Sequence, residues 1–217
     1  MSFKYILFDL DGTLSDSAPG ITRSVAYALE RFGIHEKAED LGYFVGPPLI
    51  DAFREKYGMT TEEAELAIKY FRERFSTVGI LENAPYDGIE ELLGALHANG
   101  KKLILATSKP EKFAREILER YGFAKYFTFI GGACMDEKTR MHKDEVIAYC
   151  LENCNITDTS ECIMVGDRRH DAEGAAKFDI PTAGVLYGYG TKEELVQSGV
   201  VKVCDTPEAL CTFLLQE

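Results

Sequence analysis

The chain has 217 residues, 46% hydrophobic and 28% charged, with a formal net charge of −12, enough for one buried core and a small inserted unit. An acidic chain gains nothing from counterion release on nucleic acid, so a role on DNA or RNA is not expected. No apolar run approaches the roughly 20 residues that span a bilayer, and any anion site must build its positive potential locally, against the long-range field.

The first apolar run, residues 4–8, ends abruptly at Asp9, as a buried parallel strand does. It is too short for a secretory h-region and ends in an acid, which predicts the first strand of a cytoplasmic protein. Residues 15–84 read as helices only. Ile21, Val25, Ala28, Leu29 and Phe32 make one amphipathic stripe, and Ala64, Ile68, Phe71 and Phe75 make a second, with Thr60 and Glu63 at capping-box spacing before it. The segment 83–88, Asn-Ala-Pro-Tyr-Asp-Gly, is rich in turn formers and reads as a return hinge. Further apolar runs follow at 102–107, 126–130, 162–165 and 181–186. Between them, helix 111–121 carries Phe113, Ile117, Leu118 and Tyr121 on one face, with Pro110 in its first turn and Gly122 after its last. Helix 143–154 carries Val146, Ile147, Cys150, Leu151 and Cys154 on one face. This alternation predicts an α/β fold, a doubly wound parallel sheet built from 1–14 and 85–217, with residues 15–84 as an all-helical insertion. The six cysteines match no zinc or redox spacing and read as small apolar residues in a reducing cytosol.

In an open parallel sheet, ligands bind beyond the carboxyl ends of the strands. Asp9-Leu10-Asp11-Gly12-Thr13-Leu14 follows the first run, Thr107-Ser108-Lys109-Pro110 the second, and Gly166-Asp167-Arg168-Arg169-His170-Asp171 the fourth. Lys143 opens a helix between two of these strands. Carboxylates at Asp9, Asp11 and Asp167 are hard oxygen donors of the kind Mg²⁺ selects, and their mutual repulsion calls for a cation. Thr107 offers a hydrogen bond to a phosphoryl oxygen, Lys143 offsets charge, and Gly12 lets backbone amides approach a phosphate. Charge neutralisation, an in-line nucleophile and a proton donor are the parts phosphoryl transfer needs. Blander readings stand beside these: Thr107 as a helix N-cap, Lys143 as a solvated lysine, Arg168 and Arg169 facing solvent, and Lys109 aimed away by Pro110. The glycines of 184–190 read as turn flexibility, and Arg23, Arg54, Arg72 and Arg74 as solvated charges on helix faces rather than anion contacts.

Taken together, Asp-x-Asp-Gly-Thr-Leu after a leading strand, Thr107, Lys143 and Gly-Asp-x-x-x-Asp at 166–171 resemble the four motifs of the haloacid dehalogenase-like hydrolases, over essentially the whole chain and in the right order. The helical insertion after the first motif is similar to that family's small helical cap. The segments 45–49 and 184–190 resemble its phosphoglycolate-phosphatase-like branch. The resemblance implies an Mg²⁺-dependent phosphatase for small phosphate monoesters, phosphoglycolate-phosphatase-like or 5'-nucleotidase-like. In it Asp9 is the nucleophile that becomes aspartyl-phosphate, and Asp11 the acid and then base. Thr107, Ser108 and Lys143 bind the phosphoryl group. Asp9, Asp11 through its backbone carbonyl, and Asp167 hold the metal, with Asp171 supporting its shell. The implied partners are a small phosphate ester, with no nucleic acid polymer and no membrane, and the protein is a monomer or homodimer. A sugar-phosphate mutase, or a non-catalytic phosphate-binding protein on the same scaffold, are the alternatives.

Overall fold

Strand β1 (Tyr5–Phe8) sends Ile6 and Phe8 to one face and Leu7 to the other, and all three are fully buried. A strand apolar on both faces must lie inside a sheet covered on both sides. The computed structural model, which describes residues 3–136 and 138–216, places it there. The chain leaves β1 through β2 (Ser15–Asp16) and enters helices α1 (Ala18–Glu30), α2 (Leu49–Tyr57) and α3 (Thr61–Phe75). It returns through β3 (Ala84–Pro85). Helix α4 (Ile89–Ala98), β4 (Lys102–Pro110), α5 (Glu111–Arg120), β5 (Phe127–Ala133), α6 (Lys143–Asn153) and β6 (Cys162–Gly166) follow. The chain then runs through α7 (Arg169–Ala176), β7 (Thr182–Val185), α8 (Lys192–Gln197), β8 (Lys202–Cys204) and α9 (Pro207–Leu215).

Among the described residues the main sheet has six strands, ordered β5-β4-β1-β6-β7-β8, with every pairing parallel. Ile6, Phe8, Leu103, Leu105, Ile163 and Val165 share one core with residues of α4, α5 and α9. Leu7, Ile104, Ala106, Cys162 and Met164 share the other with α6 and α7. Each fully buried Leu, Ile, Val, Phe or Met among them contributes about 1.5–3 kcal/mol. The chain goes from β1 to β4 on one side and from β5 through α6 to β6 on the other. The topological switch therefore falls at the carboxyl ends of β1, β4 and β6.

The cap is held together as its stripes predict. Val25, Ala28 and Leu29 of α1 are buried in one cluster with Ala64, Ala67, Ile68 and Phe71 of α3. Thr60 Oγ1 accepts from Glu63 N at 3.2 Å, and the Glu63 carboxylate accepts from Thr60 N at 2.8 Å, closing the capping box. Two local readings change. Residues 15–84 are not helices only, because β2 and β3 pair antiparallel, Ser15 with Pro85 and Asp16 with Ala84. Two-residue strands so far apart in the chain leave no local periodicity. Pro110 ends β4 and stands before the first turn of α5 rather than in it, with an extended ψ of 128°. Among the described residues no helix is long and apolar enough to cross a membrane.

Candidate active site

Asp9 follows β1, and its backbone amide donates to the Val165 carbonyl at 3.0 Å, which fixes it beside the end of β6. Asp167 follows β6, and Asp171 lies in the first turn of α7. The three carboxylates are buried, and each offers an oxygen within 4.8 Å of the others. Lys143, the first residue of α6, places Nζ 2.8 Å from Oδ1 of Asp9 and 2.8 Å from Oδ1 of Asp171. Its ammonium also donates to the Ala106 carbonyl at 3.0 Å. Lys143 is therefore no solvated lysine.

Backbone amides and one hydroxyl hold further carboxylate oxygens of Asp171 and Asp167. Asp171 Oδ2 accepts from Arg168 N at 3.1 Å, capping the start of α7. Asp167 Oδ2 accepts from Tyr189 N at 2.8 Å, and its Oδ1 faces the Thr13 hydroxyl at 3.4 Å. Gly12 sits at φ +85°, and a Cβ there would lie 2.2 Å from Asp167 Oδ2. Glycine is thus required both for the turn and for the approach of the loop to Asp167. The glycines of 184–190 serve close approach as well as turning, because a Cβ on Gly188 would lie 2.2 Å from the Gly12 carbonyl oxygen.

Three acids and one lysine leave this cluster short of positive charge. Burial is the main cause that pushes the Asp9 carboxyl up, with the charge of Asp171 adding to it, while Lys143 and a hydrogen bond from Thr107 pull the other way. Burial, then Asp171 and Asp9, push Asp167 well above the usual carboxylate range. Burial acts to lower the Lys143 pKa, but the carboxylates of Asp171 and Asp9 outweigh it and hold the ammonium above its ordinary value. A hard divalent cation suits this donor set: the ligand atoms are carboxylate oxygens, and their excess charge favours its capture.

Asp11 stands apart from that cluster. Its carboxylate is bound by Lys109 Nζ, at 3.0 Å to Oδ1 and 2.9 Å to Oδ2. Pro110 therefore does not aim Lys109 away. The lysine is buried, and its ammonium lies 4.7 Å from the centre of the Phe75 ring in the cap. Thr107 is not the N-cap of α5; its hydroxyl accepts from Lys109 N at 3.2 Å, shaping the turn that presents Ser108 and Lys109. Above these residues is a narrow cleft, partly open to solvent, between core and cap. Asp11, Ser108 and Lys109 are on its polar side, and Ile21, Phe44, Phe71, Phe75 and Met141 are among its apolar walls.

Some readings of charge also change. Arg168 is half-buried, bonding Glu194 Oε1 at 2.9 Å and, across to the cap, the Val45 carbonyl at 3.0 Å. Arg169 is exposed. Arg74 and Arg23 both bind Glu82 within the cap, at 2.7 and 2.9 Å, and Arg72 donates to the Met135 carbonyl at 2.8 Å. Tyr189 entered the sequence reading only as part of the glycine-rich segment 184–190, without a role of its own. Its signals were its place between two glycines after a buried strand and the family resemblance of that segment.

A profile of the haloacid dehalogenase-like hydrolases matches residues 6–185. A 5'-nucleotidase of Pseudomonas aeruginosa is 45% identical over 196 residues, covering 90% of this chain and 88% of that one. The tyrosine-protein kinase PtkA of Mycobacterium tuberculosis is 41% identical over 188 residues, covering 86% of this chain and 63% of that protein. The crystal structure of a predicted phosphatase from Clostridium acetobutylicum superposes with a TM-score of 0.96 at 44% identity, covering 99% of each chain. Bacterial phosphoglycolate phosphatases are also similar, at 28–30% identity. The chain is an enzyme of the haloacid dehalogenase-like hydrolase family and falls in its phosphatase branch.

Proposed function

We propose that the chain hydrolyses small phosphate monoesters with Mg²⁺, through an aspartyl-phosphate on Asp9, and that nucleoside monophosphates fit its cleft best. The observation that carries the reading is the convergence of Asp9, Asp167, Asp171 and Lys143 beside a cleft that has Asp11 at its edge. Asp9, Asp167 and the backbone carbonyl of Asp11 would hold the metal, with Asp171, already bound by Lys143 and the Arg168 amide, supporting its shell; when bound, the metal offsets charge on the transferring phosphoryl group. A carboxylate oxygen of Asp9 attacks phosphorus as the ester P–O bond breaks, and Asp11 gives its proton to the leaving oxygen. A water then attacks the phospho-aspartate, passing a proton back to Asp11 and releasing phosphate. Lys143 holds Asp9 in place, and the donors of Thr107 and Ser108 bind phosphoryl oxygens. At rest Lys109 pairs with Asp11 through both carboxylate oxygens, so substrate must free one of those oxygens before Asp11 carries a proton to the leaving group.

The apolar walls favour a leaving group with a flat apolar body. Among the described residues the lining carries one cation, Lys109, and that is paired with Asp11. A substrate with a second anionic group, such as phosphoglycolate, gains less there. We assign residues 15–84 to the cap and 1–14 with 85–217 to the core, residues 1, 2, 137 and 217 lying outside the described residues; the β2–β3 pairing at both crossings supports this division. A reducing cytosol suits the free cysteines, Cys134, Cys150, Cys154, Cys162, Cys204 and Cys211, and we keep a monomer or homodimer as the expected state. Phosphate release from a panel of nucleoside monophosphates, phosphoglycolate and hexose phosphates, with and without Mg²⁺, tests the proposal. No Mg²⁺-dependent release from any of them would overturn it, and preference for phosphoglycolate would overturn the substrate assignment.

A further inference from the structure

Helix α1 begins the cap, yet the Ser17 side chain at its N-cap makes no cap hydrogen bond to the helix. The cap comes from Tyr189, far away in the chain. Its hydroxyl accepts from Ser17 N at 2.8 Å and from Ala18 N at 2.9 Å, and donates to Asp16 Oδ1 at 2.8 Å. One phenol thus uses its full capacity of one donor and two acceptors on the crossing strand β2 and the first turn of the cap. Two residues earlier, the Tyr187 ring packs edge-on against Tyr86, next to β3, with centroids 5.2 Å apart. Segment 187–189 therefore grips both crossings between core and cap. The same Tyr189 gives its backbone amide to Asp167 Oδ2 at 2.8 Å.

We propose that Tyr189 is a positioning residue that couples the orientation of the cap to the placement of the Asp167 carboxylate. The inference rests on the reading of Asp9 and Asp167 given above. Hydrogen bonds fail beyond about 3.5 Å, so a swing of α1 away from the core breaks the three bonds to the hydroxyl or drags segment 188–190, which is packed against Asp167. The device ties the wall of the cleft, built partly on α1 and α3, to the carboxylates beneath it.

Y189F removes the hydroxyl and keeps both the ring and the amide bond to Asp167. The expected result is a folded enzyme whose Ser17 and Ala18 amides exchange with solvent at least about tenfold faster. Its kcat/KM for nucleoside monophosphates should fall about tenfold or more, mainly through KM, because hinge changes loosen substrate capture. Y189L separates hydroxyl from ring: if Y189F matches wild type and only Y189L is impaired, ring packing is the cause and the proposal falls. Lost activity with unchanged amide exchange also overturns it. Should Y189F fail to fold, D16A carries the test, since it removes the acceptor of the hydroxyl on the cap side. Because Asp16 Oδ1 also accepts directly from Ala18 N at 3.2 Å, the readout for D16A is the Ser17 amide alone: its exchange should speed up, and wild-type exchange there would overturn the coupling. D9N is run in parallel: a dead D9N with a wild-type Y189F refutes the coupling alone, whereas an active D9N refutes the underlying site.

Discussion

Neutralising Asp167 should make the metal-free protein more stable while destroying its activity. Asp167 is fully buried, and its carboxyl is pushed well above the ordinary value of 3.8 by burial, Asp171 and Asp9. Two like charges within 4.8 Å repel by at least about 3 kcal/mol at an effective dielectric constant near 20. Lys143 cancels part of this. Asn is isosteric, its Oδ1 still accepts from Tyr189 N, and its amide faces the Thr13 hydroxyl. D167N should therefore gain about 1–2 kcal/mol in EDTA near pH 7.5, or roughly 2–8 °C in melting temperature for a chain of this size. The sign follows from linkage. A carboxyl whose folded pKa is raised costs nothing below its unfolded value and destabilises increasingly as pH climbs to the folded one. The advantage of D167N should thus be largest at neutral pH and shrink towards pH 4. Adding Mg²⁺ should raise the melting temperature of wild type and barely move D167N. Melts followed by circular dichroism decide the matter: D167N melting at or below wild type in EDTA at pH 7.5 would refute the charge-excess account.

D9N should lower turnover by at least about a thousandfold, with no trappable phospho-enzyme; retained turnover would exclude the covalent route. K109M leaves the Asp11 carboxylate without its buried partner and should cost about 1–3 kcal/mol of stability and about ten- to a hundredfold in kcat, read by urea melts and steady-state kinetics. G188A drives a Cβ to 2.2 Å from the Gly12 carbonyl oxygen and should cost about 2 kcal/mol or more together with most of the Mg²⁺-induced rise in melting temperature. M141A, at a partly exposed wall of the cleft, should raise KM for nucleoside monophosphates by about fivefold and leave phosphoglycolate turnover, however weak, within about twofold. Equal effects on both would remove the cleft wall from substrate choice.

The fold class and most of the acidic cluster were legible because their signals are local. Residues 5–8 and 162–165 are apolar without interruption and end at Asp9 and at Gly166-Asp167, so both acids had to emerge at one edge of a parallel sheet. The stripe and capping box before α3 announced a helical insertion in the same way. Local signals also misled. Lys109 next to Pro110 read as turned outward, and the glycines after β7 read as mere flexibility. Both errors concern what a residue meets, which its neighbours in sequence do not encode.

By itself, then, the sequence determined which segments are buried, where each stops, and which chemical groups stand at the stops. Only the tertiary structure decided the pairings: Lys109 with Asp11 across 98 positions, Arg168 with Val45 across 123, Tyr189 with Ser17 across 172, and β2 with β3. Periodicity and turn chemistry act within a few residues and are written along the chain. A hydrogen bond between distant residues exists only after the sheet order and the closure of the cap have set the distance between them.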